Sequence, residues 1–364
     1  MNVPSPPSSA GRIAAVTVTY GSRWHLLQQV LEALAAEPLV NRVTVVDNGA
    51  QPPVRELIDA CGFEHLRIEV VELGANRGSA GGFAAGIRAA REYDDCTHLL
   101  LLDDDNKPET GCVSALAHLH TLASASGPVV LSAMRKGRKE YERILAGRVH
   151  IQIRPNSFLG FHVREIPAKI VEKFGGQVKG GCALPSRVRQ ISVAPYGGLF
   201  FEITLASEVA LPRTEFILYG DDHDYTARLR DAGAQLLLTD FATLRDLDES
   251  WSESPSEQNP WIQKGVPAWR AHYAARNRMI VEKRFVGSPL LYRVNQSVYL
   301  GILSLLALRA HRSFRGIHKA LRPVLDAIAD ARSGRLGERS DYQIPQPTAT
   351  TQNSEVTSTE RSGR

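Results

Sequence analysis

The chain has 364 residues, 43% hydrophobic and 23% charged, with a formal net charge of +4. Those proportions exclude a disordered or fibrous chain, and so mild a charge excludes a polyanion binder, so no nucleic-acid partner is expected. Cys61, Cys96, Cys112 and Cys182 show no CxxC spacing and no secretory leader precedes them, so a reduced, cytoplasmic protein without zinc is expected.

In chain order, residues 1–11 are Pro/Ser-rich and read as a disordered arm. Residues 12–20 (RIAAVTVTY) are a β-branched apolar run ending at Gly21, which predicts a buried strand. Leucines at 26, 27, 31 and 34 predict a helix over 25–37, and strands follow over 42–50 and 67–73. The Gly-rich stretch 74–86 (GANRGSAGGFAAG) opens a helix through Tyr93, and 97–105 (THLLLLDDD) is a fourth strand. Strand and helix alternating with short connections predict a parallel sheet wrapped by right-handed crossovers. Ligands bind such sheets at the carboxyl ends of the strands, where Tyr20, Asp47, the glycine loop and the aspartate triplet all fall.

Residues 134–190 lose this pattern and read as an irregular insertion near the site. Strand character resumes over 191–203 around a Gly-Gly turn. Residues 215–233 read as a short strand, an acidic cluster and a helix ended by Gly233, followed by a strand over 234–240 and a long helix over 268–285. Residues 286–339 are basic with a stripe of Leu, Ile and Val, which suits either an anionic membrane surface or a helical pair packed on the domain. A Ser/Thr/Gln tail over 340–364 reads as disordered, and no apolar run reaches the ~20 residues of a membrane span.

Asp103, Asp104 and Asp105 repel one another at the end of an apolar strand. Mg2+ and Mn2+ prefer hard oxygen ligands, and an Asp-x-Asp brings its first and third carboxylates near one point. The competing reading, a solvated turn capping the next helix, needs only one carboxylate. The glycine loop suits phosphate but matches neither GxxxxGK[ST] nor GxGxxG, and close packing of a helix on a sheet explains it equally well. Asp47 suits a base or ribose contact, or a turn closure. Asp221, Asp222 and Asp224 form a second cluster that suits a general base, and three acids exceed what an N-cap requires. His118 and His120, two apart on a helix, point to different faces and are not expected to share a metal.

The segments VTVTYGSR, VVDNGA, NRGSAGGFAAG, LLLLDDDNKPE and FILYGDDHDYTARLRDAG, in this order and spacing, resemble family-2 glycosyltransferases over about residues 12–285. AGGF with DDD and YGDD looks most like the bacterial galactofuranosyl- and rhamnosyltransferase branch that builds cell-wall and capsular polysaccharides. The resemblance implies an α/β GT-A (nucleotide-diphospho-sugar transferase) fold, a mostly parallel sheet flanked by helices, with a C-terminal helical segment. It implies inverting transfer from a nucleotide-sugar donor of the UDP-galactofuranose or dTDP-rhamnose type, assisted by Mn2+ or Mg2+, to a lipid-linked or polysaccharide acceptor. A peripheral position on the inner face of the plasma membrane follows from that acceptor.

Carried over by position, Asp47 would contact the nucleobase with Thr19 and Tyr20 flanking it, and Arg77 and Gly78 would lie against the nucleotide. Asp103 and Asp105 would bind the metal and the ribose–diphosphate, with Asp104 between them. Asp222 would be the general base, with Asp221 and Asp224 helping to hold acceptor or donor sugar. Where the galactofuranosyl branch supplies a histidine to the metal, this sequence has Arg245 and Asp246, and Asp246 is the expected replacement ligand. A nucleotidyltransferase is a rival reading, but TVTYGSRWHLL lacks its glycines; a non-catalytic nucleotide-sugar-binding protein is another, disfavoured because both acidic clusters are intact.

Overall fold

The computed structural model describes residues 12–63, 66–148, 153–167, 184–248, 266–311 and 313–344. The expected N-terminal arm, Cys182 and the tail from 345 lie outside the described residues. In chain order the first half runs β1 (Ile13–Gly21), α1 (Trp24–Ala35), β2 (Val40–Ala50), α2 (Val54–Cys61), β3 (Arg67–Glu72), α3 (Gly78–Ala90), β4 (His98–Asp103), β5 (Asn106–Pro108) and α4 (Cys112–Ala123). The second runs β6 (Val129–Arg135), α5 (Lys139–Leu145), β7 (Val188–Gln190), β8 (Leu199–Glu202), α6 (Ile203–Glu208), α7 (Asp221–Asp231), β9 (Gln235–Asp246), α8 (Ala268–Lys283), α9 (Pro289–Ala310) and α10 (Phe314–Ser333).

The sheet order is β3-β2-β1-β4-β8-β6-β9-β5, with β7 added against β9. β3, β2, β1, β4, β6 and β9 run one way, and β8, β5 and β7 run against them, so the sheet is mostly parallel. Helices flank it and a C-terminal helical segment follows, which is the fold class expected.

Both faces of the central strands are covered, which is why β1 and β4 read as unbroken apolar runs. Along β1, Ala14, Val16 and Val18 join Phe83 and Ile87 of α3 on one face. Ile13 and Ala15 join Leu27 and Leu31 of α1 on the other. Leu101 is fully buried; its truncation to alanine would cost about 2–5 kcal/mol.

The glycines of α3 serve that packing. A Cβ on Gly82 would stand 2.4 Å from Val18, and one on Gly86 2.4 Å from Val16. The close-packing reading therefore accounts for both.

Three expectations need correction. Residues 134–190 are not uniformly irregular: Met134 and Arg135 complete β6 beside β9, α5 follows, and β7 forms a sheet edge. Residues 215–220 are not a strand but a 3-10 turn (Thr214–Phe216) followed by left-handed backbone at Ile217 (φ 69°), Tyr219 (φ 65°) and Gly220 (φ 74°). The cause lies in α8, where the buried Asn277 amide donates to the carbonyls of Phe216, Leu218 and Tyr219, each at 2.9 Å, so those carbonyls cannot enter a ladder. Lastly, residues 340–342 are a 3-10 turn rather than tail, because Tyr342 is buried with its ring stacked on His272, 4.3 Å between centroids.

Candidate active site

Strand direction assembles the site. β1, β2, β4, β6 and β9 deliver Tyr20, Asp47, Asp103, Arg135 and Asp246 to one rim, and antiparallel β8 begins at that rim behind Gly197 and Gly198.

The triplet divides according to which way each carboxylate faces. Asp104 turns inward: it is buried, accepts from Thr19 Oγ1 at 2.7 Å, and is clamped by the Arg23 guanidinium at 2.9–3.0 Å. Neither Thr19, fully buried, nor Asp104 is therefore placed to touch a nucleotide; together with Arg23 they brace the turn that presents the other two carboxylates. Asp103 and Asp105 have only long ion pairs, 3.6 Å to Arg135 and 3.5 Å to Arg23. Burial pushes the Asp105 carboxyl up to about 6, with the charge of Asp103 adding to it and Arg23 and Arg135 opposing. Asp103 keeps 39% of its side chain accessible. The surrounding protein still raises its pKa, Arg135 opposing and Asp104, Asp222 and Asp246 adding to the rise. Two hard oxygen donors, under-neutralised and held near one another, fit a divalent cation.

Asp246 reaches this group, since β5 pairs Asn106 with it and the Asn106 amide donates to both Asp105 (2.9 Å) and Asp246 (3.1 Å). Its oxygens, however, are taken by Arg135 at 2.7 Å and Arg138 at 2.9 Å. The expected replacement ligand is instead the anchor of two arginines, of which Arg135 also lies 3.6 Å from Asp103. Arg245 on the next register position is exposed.

The second cluster arrives on the first turn of α7. Asp222 is partly exposed and accepts its neighbour's backbone N–H through Oδ1 alone, leaving Oδ2 open. Its charge is felt at Asp103, so the two clusters face one another. Asp221 is buried against Ser79 Oγ at 3.0 Å, with its other oxygen unbonded; burial and then Asp222 hold its carboxyl well above the usual range. Asp224 is withdrawn altogether. It is 1% exposed and ringed by Arg228 (2.9 Å), Arg284 (3.4 Å) and Arg213 (3.7 Å), so the expected sugar contact at this residue is an internal ion-pair hub.

The remaining expected residues scatter. Asp47 accepts the backbone N–H groups of Gly49 (3.1 Å), Ala50 (2.7 Å) and Val54 (3.1 Å), so it closes its own turn and has little left for a base. Its neighbour Asn48 staples the glycine loop, accepting from Arg77 N at 2.8 Å and donating to the Gly78 carbonyl at 3.1 Å. A Cβ on Gly78 would lie 2.0 Å from the Ile217 carbonyl, so Gly78 exists to let the loop before α7 press against α3, not to cradle a phosphate. Arg77 lines a groove of about 540 Å³ with Arg88, Thr214 and Glu215, which contains none of the clustered aspartates. Tyr20 stays at the rim, 45% exposed, with Arg23 5.4 Å from its ring centre.

Sequence reasoning missed several residues. Tyr219 lies near enough to Tyr20 for their charges to interact, giving the cleft two aromatic walls. Tyr196 lies beside Asp221 and Asp222. Gly197 packs so closely that a Cβ would sit 1.9 Å from Asn106 Oδ1 and 3.0 Å from Asp103, so this one loop joins the two acidic clusters. Arg135 had a usable signal in the apolar run VVLSAMR, whose last residue it is. Asn277, mid-helix in RNR, had none.

Comparison with known proteins finds one family over part of the chain: residues 14–171 match the family described as Glycosyl transferase family 2. Galactofuranosyltransferase GlfT1 of Mycolicibacterium smegmatis (strain ATCC 700084 / mc(2)155) is 36% identical over 121 residues, which is 31% of this chain and 38% of that protein. The match therefore spans well under half of that relative. Among solved structures, GalNAc-T7 with UDP, GalNAc and Mn2+ aligns at TM-score 0.49 and 10% identity, covering 75% of this chain and 48% of that one. The mannosyltransferase PcManGT of Pyrobaculum calidifontis, in complex with GDP-Man and Mn2+, aligns at TM-score 0.47 and 15% identity, covering 91% and 78%.

Proposed function

We propose that the protein is an inverting, metal-assisted glycosyltransferase that takes a sugar from a nucleotide-sugar donor of the UDP-galactofuranose or dTDP-rhamnose type. The acceptor would be a lipid-linked or growing polysaccharide of the cell wall or capsule. The observation that carries this reading is the meeting, at one rim, of two under-neutralised carboxylates (Asp103, Asp105) with one open carboxylate (Asp222) from a distant segment.

Asp103 and Asp105 would hold Mn2+ or Mg2+, which when bound neutralises the leaving diphosphate. Arg135 and Arg23, already beside them, would add positive charge as the leaving group departs. Tyr20 and Tyr219 would flank the base. Asp222 Oδ2 would take the proton of the acceptor hydroxyl as it attacks. Asp221 is buried behind it and already accepts from Ser79 Oγ.

A thermal-shift screen of UDP-galactofuranose, UDP-galactose and dTDP-rhamnose with and without Mn2+ tests the reading, because a ligand that binds only the folded state raises its stability. One donor is expected to raise Tm in the presence of Mn2+, and the rise is expected to vanish in Asp105→Ala. A donor shift that persists undiminished in that variant sinks the metal assignment.

A membrane position is favoured by a separate observation. Leu290 (75% exposed), Val294, Val298, Leu305 (61%) and Leu308 (54%) all lie exposed on α9. At 100° per residue they fall within about 80° of arc. Exposed Arg293, Arg309, Arg315 and Lys319 accompany them. Such a stripe suits the acyl–headgroup boundary of an anionic bilayer, and among the described residues no helix is long and apolar enough to cross one. A Leu305→Glu/Leu308→Glu variant should lose cosedimentation with anionic liposomes while keeping its Tm; unchanged cosedimentation overturns the membrane position.

A further inference from the structure

At the opposite end of β4 from the aspartate triplet, three ligating side chains converge. His98 opens β4, Glu202 is its antiparallel partner at the end of β8, and His120 reaches down from α4. One ligand atom from each lies within 4.8 Å of the others. Five residues of strand, about 17 Å, separate this group from Asp103.

The surrounding hydrogen bonds explain why these atoms face one another. His120 Nε2 lies 3.2 Å from the Val129 carbonyl, which can only accept, so that nitrogen carries the proton and Nδ1 keeps its lone pair. Nδ1 points at His98 Nε2, 3.3 Å away. On its far side His98 Nδ1 meets Thr97 Oγ1 at 2.8 Å, and that hydroxyl in turn donates to the Arg12 carbonyl. A chain running from His98 Nδ1–H through Thr97 to Arg12 leaves His98 Nε2 with a lone pair as well. Two lone pairs so placed repel unless a cation lies between them. Glu202 supplies the negative charge, with Oε2 fixed by Thr204 Oγ1 at 3.1 Å. All three side chains thus have the outer hydrogen bonds that orient metal ligands. Phe200 walls the site, parallel to His98 at 5.0 Å and edge-on to His120 at 5.6 Å.

Bonds of about 2.0–2.1 Å in tetrahedral geometry put two ligand nitrogens about 3.3 Å apart, the separation found here.

We infer that His98, His120 and Glu202 form a second metal site, separate from the sugar-transfer centre, taking a borderline cation of the zinc class with water as fourth ligand. Its imidazoles select against the oxygen-seeking Mn2+ or Mg2+ suited to Asp103 and Asp105, so the two ends of β4 would hold different metals. The cysteine pattern gave no hint of zinc because no cysteine takes part, and the His118/His120 pair concealed the partner that matters, His98. Bound there, the cation ties α4 to the amino end of the sheet.

The test uses the full chain carrying Asp105→Ala, so that the transfer centre does not bind the probe. Calorimetric titration with Zn2+, and with Co2+ read by its tetrahedral visible absorption, is expected to give one site. Glu202→Gln, at the surface where folding is not at risk, should weaken Zn2+ at least tenfold, and His98→Gln/Glu202→Gln should remove the Co2+ band. Absence of a Zn2+ site in the parent chain, or equal Zn2+ affinity with Glu202→Gln, overturns the inference.

Discussion

The two acidic clusters look alike in sequence and behave alike in one respect only: each sends some carboxylates into the protein and leaves others at the cleft. At the strand end, the turn after β4 does the sorting. Asp103 and Asp105 share a side and stay under-neutralised, while Asp104 between them is consumed by Arg23 and Thr19. On the helix, the first turn does it. Asp222 faces out, Asp221 is buried behind it against Ser79, and Asp224 drops to the buried side among three arginines. A run of acids is therefore a mixture of chemistry and scaffolding, and the arginines decide which residue does which.

That division can be broken one residue at a time. Asp222→Asn should have the largest effect on turnover, lowering kcat by a factor on the order of 10²–10⁴ while donor affinity measured by calorimetry is retained; an active Asp222→Asn enzyme removes it as the base. Asp224→Ala should act on the fold instead. Removing the buried carboxylate shared by these partly exposed arginines costs about 1–3 kcal/mol, visible as a lowered Tm, with the folded fraction still active. If Asp224→Ala kept its Tm and lost only kcat, the two residues would have to exchange roles. The smallest effect concerns pH. The Asp105 carboxyl lies at about 6, above its ordinary value, so the fold favours its protonated form. Its contribution to stability is thus present at low pH and is lost as pH rises through about 6, whereas Mn2+ needs the carboxylate and gains affinity over the same interval. The rise in Tm on adding Mn2+ should be greater at pH 7 than at pH 5; the reverse order would disqualify Asp105 as a ligand.

The sheet was the legible part. Strands buried on both faces leave apolar runs, and β1, β2, β3 and β4 fall within two residues of their expected ends for that reason. The rest of the sheet was obscured because β5, β7 and β8 are three or four residues long and pair antiparallel with distant segments. At the site, residue types were readable and orientations were not. That Asp47 spends itself on three backbone N–H groups, or Asp246 on two arginines, depends on neighbours far along the chain. Gly78 was read as facing a ligand when its hydrogen side faces Ile217.

The grip of Asn277 on the carbonyls of Phe216, Leu218 and Tyr219 ties the rim to the C-terminal helices. The segment that matches the transferase family ends at residue 171, yet the turn presenting Asp222 hangs from Asn277 on α8, more than a hundred residues later. A shortened chain ending before Ala268 would keep every strand of the described sheet and lose the anchor of that turn.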